Sequence, residues 1–442
     1  FAEAFKVWLR IGLTGFGGPA GQIAMMHRIL VDERKWIGEA RFLHALNYCM
    51  LLPGPEAQQL AIYIGWLMHR IPGGLVAGIL FVLPGALVML GLSVLYAGFH
   101  GIGWVQGLFF GLKPAVLAVV IEALLRIGRR ALGHPARVGV AGLAFLALFL
   151  FNIPFPLVVL AAALIGAAAA RAGSPAFQAK ANAVGGNGAI DSLLEEGVPL
   201  HARPSRRRAS RVAATGLALW LLPVLALALL LGPEDTLSRI AIFFSKMAVV
   251  TFGGAYAVLS YVAQQAVEVY GWMRPGEMLD GLGLAETTPG PLILVLNFVA
   301  FLAGWRHPGA LPPVLAGGLA TLVALWVTYV PCFLWIFLGG PYVEALRGKR
   351  VLAGALAAIT AAVVGVILNL AVWFALHVLF AQLGEARFGP LVVPVPDWSS
   401  LDPASAILAV VAMLLLLRFH LGMLPTLGAS ALAGMVWWLR RG

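Results

Sequence analysis

Charge and cysteine are what this chain has least of. Only 11% of its 442 residues are Asp, Glu, Lys or Arg, and just two are cysteine. Cys49 and Cys332 both lie in apolar stretches, so neither a disulfide framework nor a cysteine metal site is indicated. There is no Walker loop, no His-Glu-x-x-His helix and no Gly-x-Ser-x-Gly elbow. His27, His44, His69, His100 and His377 are scattered without ligand-like spacing. These absences argue against ATP hydrolysis and against metal- or serine-based chemistry, so we expect no enzymatic activity, no metal and no cofactor. No cleavable leader is visible and the first residue is Phe1 rather than Met, which points to missing native N-terminal sequence.

What is present is apolar sequence. Hydrophobic residues make up 61% of the chain, and the mean hydropathy is +0.92. Stretches of about 20 apolar residues, each enough to cross a hydrocarbon core of about 30 Å, recur along almost the whole length. The net charge of +11 would suggest nucleic acid in a soluble protein. Here it falls in loops, where it sets orientation and meets anionic lipid, and no nucleic-acid partner is expected.

About thirteen apolar segments can be counted, near 3–30, 42–69, 74–99, 104–128, 138–152, 154–170, 212–232, 236–266, 277–304, 310–338, 352–380, 404–418 and 422–439. The polar stretch 382–403, with Pro394, Pro396 and Pro403, reads as an extended loop. A basic tether at 171–211, with Gly185-Gly186-Asn187-Gly188 and Arg206-Arg207-Arg208, separates a first membrane repeat (1–170) from a linking helix (212–232) and a second repeat (236–442). The repeat is visible in the residues. Phe16-Gly17-Gly18 returns as Phe252-Gly253-Gly254, Pro53-Gly54-Pro55 as Pro289-Gly290-Pro291, and Trp36 as Trp272, each 236 residues later. Lys113-Pro114-Ala115-Val116 matches Thr360-Ala361-Ala362-Val363 at a spacing of 247, so the second copy carries an insertion between its motifs. One extra span between two copies would invert the second relative to the first. The face holding the tether carries the larger share of loop Lys and Arg, which makes it cytoplasmic. That bias grows if the segments around the breaks enter the membrane and turn back. The expected fold is an all-α polytopic membrane protein of two inverted repeats, with interrupted or re-entrant helices at the Gly-Gly and Pro-Gly-Pro breaks.

The breaks are the candidate site. Non-helical backbone at membrane depth survives only when it is buried in protein or lines a wet cavity. Helices beginning after Gly17-Gly18, Pro53-Gly54-Pro55, Gly253-Gly254 and Pro289-Gly290-Pro291 would present N–H groups and a positive dipole end to an anion. A kink or a tight packing contact is the plainer alternative for any single break. Arg10 and Lys246 are equivalent by the repeat and lie about two turns before the paired glycines. A cation there marks a functional cavity, although Glu3, Lys6 and Arg10 together also suit the polar stripe of an interfacial helix. Glu56 and Glu286 sit at the proline-flanked breaks and are candidates for proton coupling, with salt-bridge partnership the alternative. Gln58 and Asn297 are candidates to hydrogen-bond an oxyanion, interhelical bonding being the commoner role. Lys113, beside Pro114, would pair with a carboxylate or a helix end.

Thr14-Gly15-Phe16-Gly17-Gly18-Pro19 followed by Leu52-Pro53-Gly54-Pro55-Glu56-Ala57-Gln58-Gln59 resembles the signature of the chromate ion transporter family. Thr251-Phe252-Gly253-Gly254, Gly271-Trp272 and Ala285-Glu286-Thr287-Thr288-Pro289-Gly290-Pro291-Leu292 are similar to its second domain. The resemblance covers about 1–130 and 236–375 and matches the long, two-domain form. It implies a secondary transporter of the bacterial inner membrane that exports chromate and confers chromate resistance, with sulfate as mimic or competitor and the lipid bilayer around it. A homodimer is compatible with it. The family usually has Lys where this chain has Arg10. A carrier or channel for sulfate or another inorganic anion is the alternative.

Overall fold

The structure, a computed structural model, describes residues 1–16, 18–50, 52–177, 202–252, 255–274, 276–342, 350–389 and 391–441. Gly17, Gly253 and Gly254 of the expected site, and 178–201 of the basic tether, lie outside the described residues.

Helices fill the apolar stretches and stop at the breaks. α1 (Ala2–Thr14), α2 (Gly18–His27) and α3 (Glu39–Cys49) precede α4 (Glu56–Phe99). Then come α5 (Gly103–Ala131), α6 (Pro135–Phe149), α7 (Phe155–Arg171) and α8 (Arg206–Leu230). The second copy begins with α9 (Thr236–Val250), α10 (Ala255–Gln264), α11 (Glu277–Thr287), α12 (Val295–Arg306) and α13 (Pro313–Gly339). It ends with α14 (Arg350–Leu379), α15 (Pro403–Met413) and α16 (Met423–Arg441). Among the described residues, five helical stretches are long and apolar enough to cross a membrane: Glu56–Phe99, Gly103–Ala131, Arg206–Leu230, Pro313–Tyr342 and Arg350–Leu379. The chain is a multi-pass membrane protein. α8 illustrates the solvent: it buries only Trp220, while Leu222, Leu225, Leu229 and Leu230 stand exposed, a surface suited to lipid and not to water.

α4 is two helices. His69 (φ −134°) and Arg70 (φ +58°) leave helical geometry, and Pro72, at the start of the second half, needs no N–H partner there. The halves fold back on each other, with Gly65 against Gly73 and Gly78 against Ile62. The first half, 56–68, is about 20 Å long, short of the roughly 30 Å core. α12 and α13 repeat the arrangement: Gly304 meets Ala316, Gly317 meets Phe301, and α12 spans only about 18 Å.

The chain forms two compact units, and each takes segments from both copies. One comprises Phe1–Ser93, Lys180–Ala255 and Ala285–Lys349. It contains α1 to α3, most of α4, α8, α9, α12 and α13. The other comprises Val94–Ala179, Tyr256–Leu284 and Arg350–Gly442. Its helices pack through small residues, as with Gly111 against Gly434, Gly166 against Gly354, and Gly365 against Ala141, the close backbone approach favoured where lipid removes the hydrophobic drive between helices.

One element departs from the all-helical expectation. Within the stretch read as an extended loop, β1 (Leu383–Phe388) pairs antiparallel with β2 (Leu391–Pro396), Phe388 facing Leu391. The prolines concealed it, but in a two-stranded hairpin every proline can turn its missing N–H away from its partner.

Candidate functional site

The local geometry around the breaks recurs at the spacing of 236. α1 ends at Gly15 (φ −75°, ψ 60°) and α9 at Thr251 (φ −75°, ψ 83°). A tight turn follows each, Phe16 N–H to Thr14 O at 2.9 Å and Phe252 N–H to Val250 O at 3.0 Å. α2 and α10 each run into a widened turn, Arg28–Glu33 and Gln265–Val269. Trp36 and Trp272 close these turns with matching bonds to Leu30 O and Ala266 O, both 2.8 Å. Lys35 holds a positive φ of +52° where the second copy has Gly271 at +62°.

The proline-flanked loops are then exchanged between copies. Gly54 donates its N–H to Thr251 O at 2.7 Å, and Gly290 donates to Gly15 O at 2.9 Å. Subtracting the repeat spacing turns one bond into the other. Both donors need to be glycine, with φ +120° at Gly54 and +102° at Gly290, a region that side chains avoid. Neighbours enforce the choice. A Cβ on Gly54 would lie 2.9 Å from Gln59 Nε2 and 3.0 Å from Cys332 Sγ, and one on Gly290 would lie 2.9 Å from Leu294 Cδ1 and 3.5 Å from Gly85 Cα. Gly85 and Cys332 each follow a proline inside a long helix, Pro84 and Pro331. Each proline frees a carbonyl one turn earlier, and in the first copy that carbonyl, Leu80 O, lies against Gly12.

Buried amides line these turns. Gln22, fully buried, donates from Nε2 to Gly15 O at 3.1 Å and also to Gly290 O, so one side chain ties the first Gly-Gly break to the second proline-flanked loop. Its Oε1 has no partner among the described residues. Gln59 donates to Pro53 O at 2.7 Å. Gln58 is fully buried with neither amide atom bonded among the described residues, and Asn297 Nδ2 is likewise unbonded. Glu286, 2% exposed, places Oε2 3.9 Å from where a Cβ on Gly18 would sit. That carboxylate therefore faces the start of α2, the position with the most positive helix potential. Glu56 occupies the first turn of α4 behind Pro53-Gly54-Pro55, where its own charge meets the dipole.

The cations lie elsewhere. Arg10 is exposed and pairs with Glu33 at 3.3 Å, within a surface group that includes Arg28–Glu33 at 3.5 Å and Arg34–Glu3 at 2.8 Å. Lys246 is exposed on α9. Among the described residues neither side chain hydrogen-bonds a break. Lys113 does pair with a carboxylate, Asp280, at 3.6 Å.

Gln22 and Asp280 are what sequence reading missed. Gln22 has no counterpart, since the equivalent residue is Val258, but a glutamine four residues after a Gly-Gly break in an apolar stretch was a usable signal. Asp280 stood in an apolar segment beside Glu277, and its partner is 167 positions away in sequence.

The arrangement combines broken backbone held in register, buried amide groups and a carboxylate facing a helix start. Among the described residues no group of His, Cys, Asp and Glu that could hold a metal is present. The chromate transporter family profile matches residues 2–167 and 238–435. A chromate transport protein of Cupriavidus metallidurans is 27% identical over 97% of this chain and 91% of its own length. Another, of Pseudomonas aeruginosa, is 33% identical over 83% of this chain and 79% of its own. A probable chromate transport protein of Synechococcus elongatus is 28% identical over 78% and 77%. No solved structure matches.

Proposed function

This chain belongs to the chromate transporter family, and from that premise we propose that it is a secondary transporter carrying chromate out of the cell, across the bacterial inner membrane, and thereby conferring chromate resistance. The observation that carries the reading is the exchanged pair of bonds, Gly54 to Thr251 and Gly290 to Gly15. Two helix breaks locked to one another, copy against copy, are the construction expected of a binding site at a repeat interface.

The two copies have opposite membrane orientation, the tether is cytoplasmic, and the substrate sits at the breaks. Chromate is a tetrahedral dianion that needs N–H donors and positive charge. The starts of α2 and α4 and the Pro289-Gly290-Pro291 loop supply donors, and Gly17, Gly253 and Gly254 belong to the proposed substrate-binding residues. Gln58 and Asn297 offer amide N–H groups, and Arg10 and Lys246 draw the anion inward, Arg10 by leaving Glu33. Glu56 and Glu286 tune release. An ionised Glu286 at the start of α2 repels the dianion, and a protonated one admits it. Export has a natural drive, since moving two negative charges outward gains about 4–5 kcal/mol per 100 mV of inside-negative potential.

The test is uptake of radiolabelled chromate by purified protein in liposomes, with sulfate, molybdate and phosphate as competitors. Saturable chromate uptake that sulfate inhibits supports the reading. Sulfate uptake that chromate fails to inhibit would make the protein a sulfate carrier on the same frame, and flux without saturation or counterflow would make it a channel.

A further inference from the structure

The compact unit formed by Val94–Ala179, Tyr256–Leu284 and Arg350–Gly442 holds a buried charged group that the anion site does not use. Asp280 on α11 is fully buried. Its Oδ2 accepts the hydroxyl of Tyr96 at 2.8 Å and lies 3.6 Å from Lys113 Nζ. Its Oδ1 has no partner among the described residues. Lys113 is 30% exposed, so the pair is closed on the carboxylate side and open on the ammonium side.

The surroundings are built for this contact. Gly283, one turn after Asp280, lets α11 approach α5, since a Cβ there would lie 2.5 Å from Leu112 Cδ2. Gly276, one turn before, has φ +88°, and a Cβ on it would lie 3.3 Å from Lys113 Nζ. The ammonium is thus seated beside a glycine whose backbone conformation side chains rarely adopt. Tyr96 is held by His100, stacked at 4.4 Å, and by Phe109 edge-on at 5.0 Å. The groups that set the charge of Asp280 are Lys113 from α5, Tyr96 with His100 behind it from α4, and Glu277 from its own helix, which is buried and bonded to Arg274 N–H at 2.7 Å.

A charged side chain buried inside a membrane protein is costly and is a candidate for an ion or proton path. An ammonium at 3.6 Å is farther than a close charge-assisted bond, about 2.7–2.9 Å. One carboxylate oxygen is unsatisfied. Ionised and protonated forms are therefore close in free energy, which a proton carrier requires. A dedicated cation site would not place an ammonium on the same oxygen.

We infer that Asp280, paired with Lys113 and Tyr96, is a proton-binding site of the transport cycle, with the proton as its ligand. The step is a simple one: the carboxylate takes a proton from water to become a carboxylic acid, its ion pair with Lys113 is lost, and the reverse step returns the proton to water. This inference rests on the chromate-carrier reading and adds a proton site to the roles proposed for Glu56 and Glu286.

The experiment uses the full chain in liposomes with a pH-sensitive dye inside and the potential clamped with potassium and valinomycin. Wild type should couple chromate movement to a lumenal pH change. Asp280→Asn should keep chromate-for-chromate exchange within about threefold of wild type while losing the pH change. A wild-type pH signal from Asp280→Asn overturns the inference. So does a wild type whose net chromate uptake brings no pH change, which leaves the carrier reading standing, whereas absent wild-type uptake and exchange would sink that reading instead. If Asp280→Asn does not fold, Tyr96→Phe decides. Losing a donor to the carboxylate destabilises its charged form, so the pH midpoint of uptake should move up by about one unit. An unmoved midpoint overturns the inference.

Discussion

Gly290 donates its backbone N–H to the carbonyl of Gly15, 2.9 Å away and on the other copy of the repeat. Its counterpart, Gly54 to Thr251, makes the same bond in the opposite sense. Each proline-flanked loop is thus held by the copy it does not belong to, and substitutions there should damage both halves together.

Gly54→Ala and Gly290→Ala each force a side chain into a left-handed backbone region, at a cost of about 1–3 kcal/mol. Gly54→Ala also meets Gln59 and Cys332. Both variants should lose at least about tenfold in chromate turnover, a barrier change of about 1.4 kcal/mol, and should melt earlier in detergent. Adding Cys332→Ala should recover part of the stability lost in Gly54→Ala, because it removes the contact with Sγ and leaves the strain and the contact with Gln59. Uptake and thermal unfolding on the same preparations check this.

Gln22→Leu removes both bonds from the amide to Gly15 and Gly290 and leaves Gly290 O without that donor. The expected loss is about 1–3 kcal/mol of stability, the cost of an unsatisfied buried group, with turnover reduced several-fold. Thermal unfolding and uptake measure the two effects.

Much of this was legible in the sequence, and the reasons differ by element. Break positions follow from Gly and Pro in apolar runs, and the spacing of 236 shows which breaks correspond. Which loop pairs with which break was not legible, because periodicity reports the face a residue occupies and says nothing of a partner hundreds of positions away. The same limit hid the bond between Tyr96 and Asp280. Arg10 shows the opposite difficulty. Its charge in an apolar helix suggested a cavity, but Glu33, supplied by the turn after α2, pairs with it at the surface.

Glu286→Gln should make anion affinity less sensitive to pH. In the proposed role of Glu286, protonation of the carboxylate facing Gly18 removes its repulsion of the dianion, so affinity should rise as pH falls. Sulfate, whose own charge does not change between about pH 6 and 8, is the appropriate ligand, and the variant should bind it as wild type does at the acid end. Glu56→Gln should act in the same direction. Equilibrium binding across that range checks both.

Glu33→Ala separates two roles for Arg10. An exposed ion pair contributes at most about 1 kcal/mol, so the variant should be nearly as stable as wild type. It should transport at least as well, because Arg10 is then free to meet the anion. Uptake well below wild type, at unchanged expression, would mean that the pair itself is what matters.

The most direct test of a dianion held between the two copies is radiolabelled chromate uptake by reconstituted wild type, Arg10→Ala, Lys246→Ala and Arg10→Lys. The account predicts saturable uptake in wild type. Arg10→Ala and Lys246→Ala should each lose about tenfold or more in apparent affinity or turnover, about 1.4 kcal/mol of anion stabilisation, and Arg10→Lys should be milder. Wild-type uptake by both alanine variants, at normal expression and folding, would contradict it.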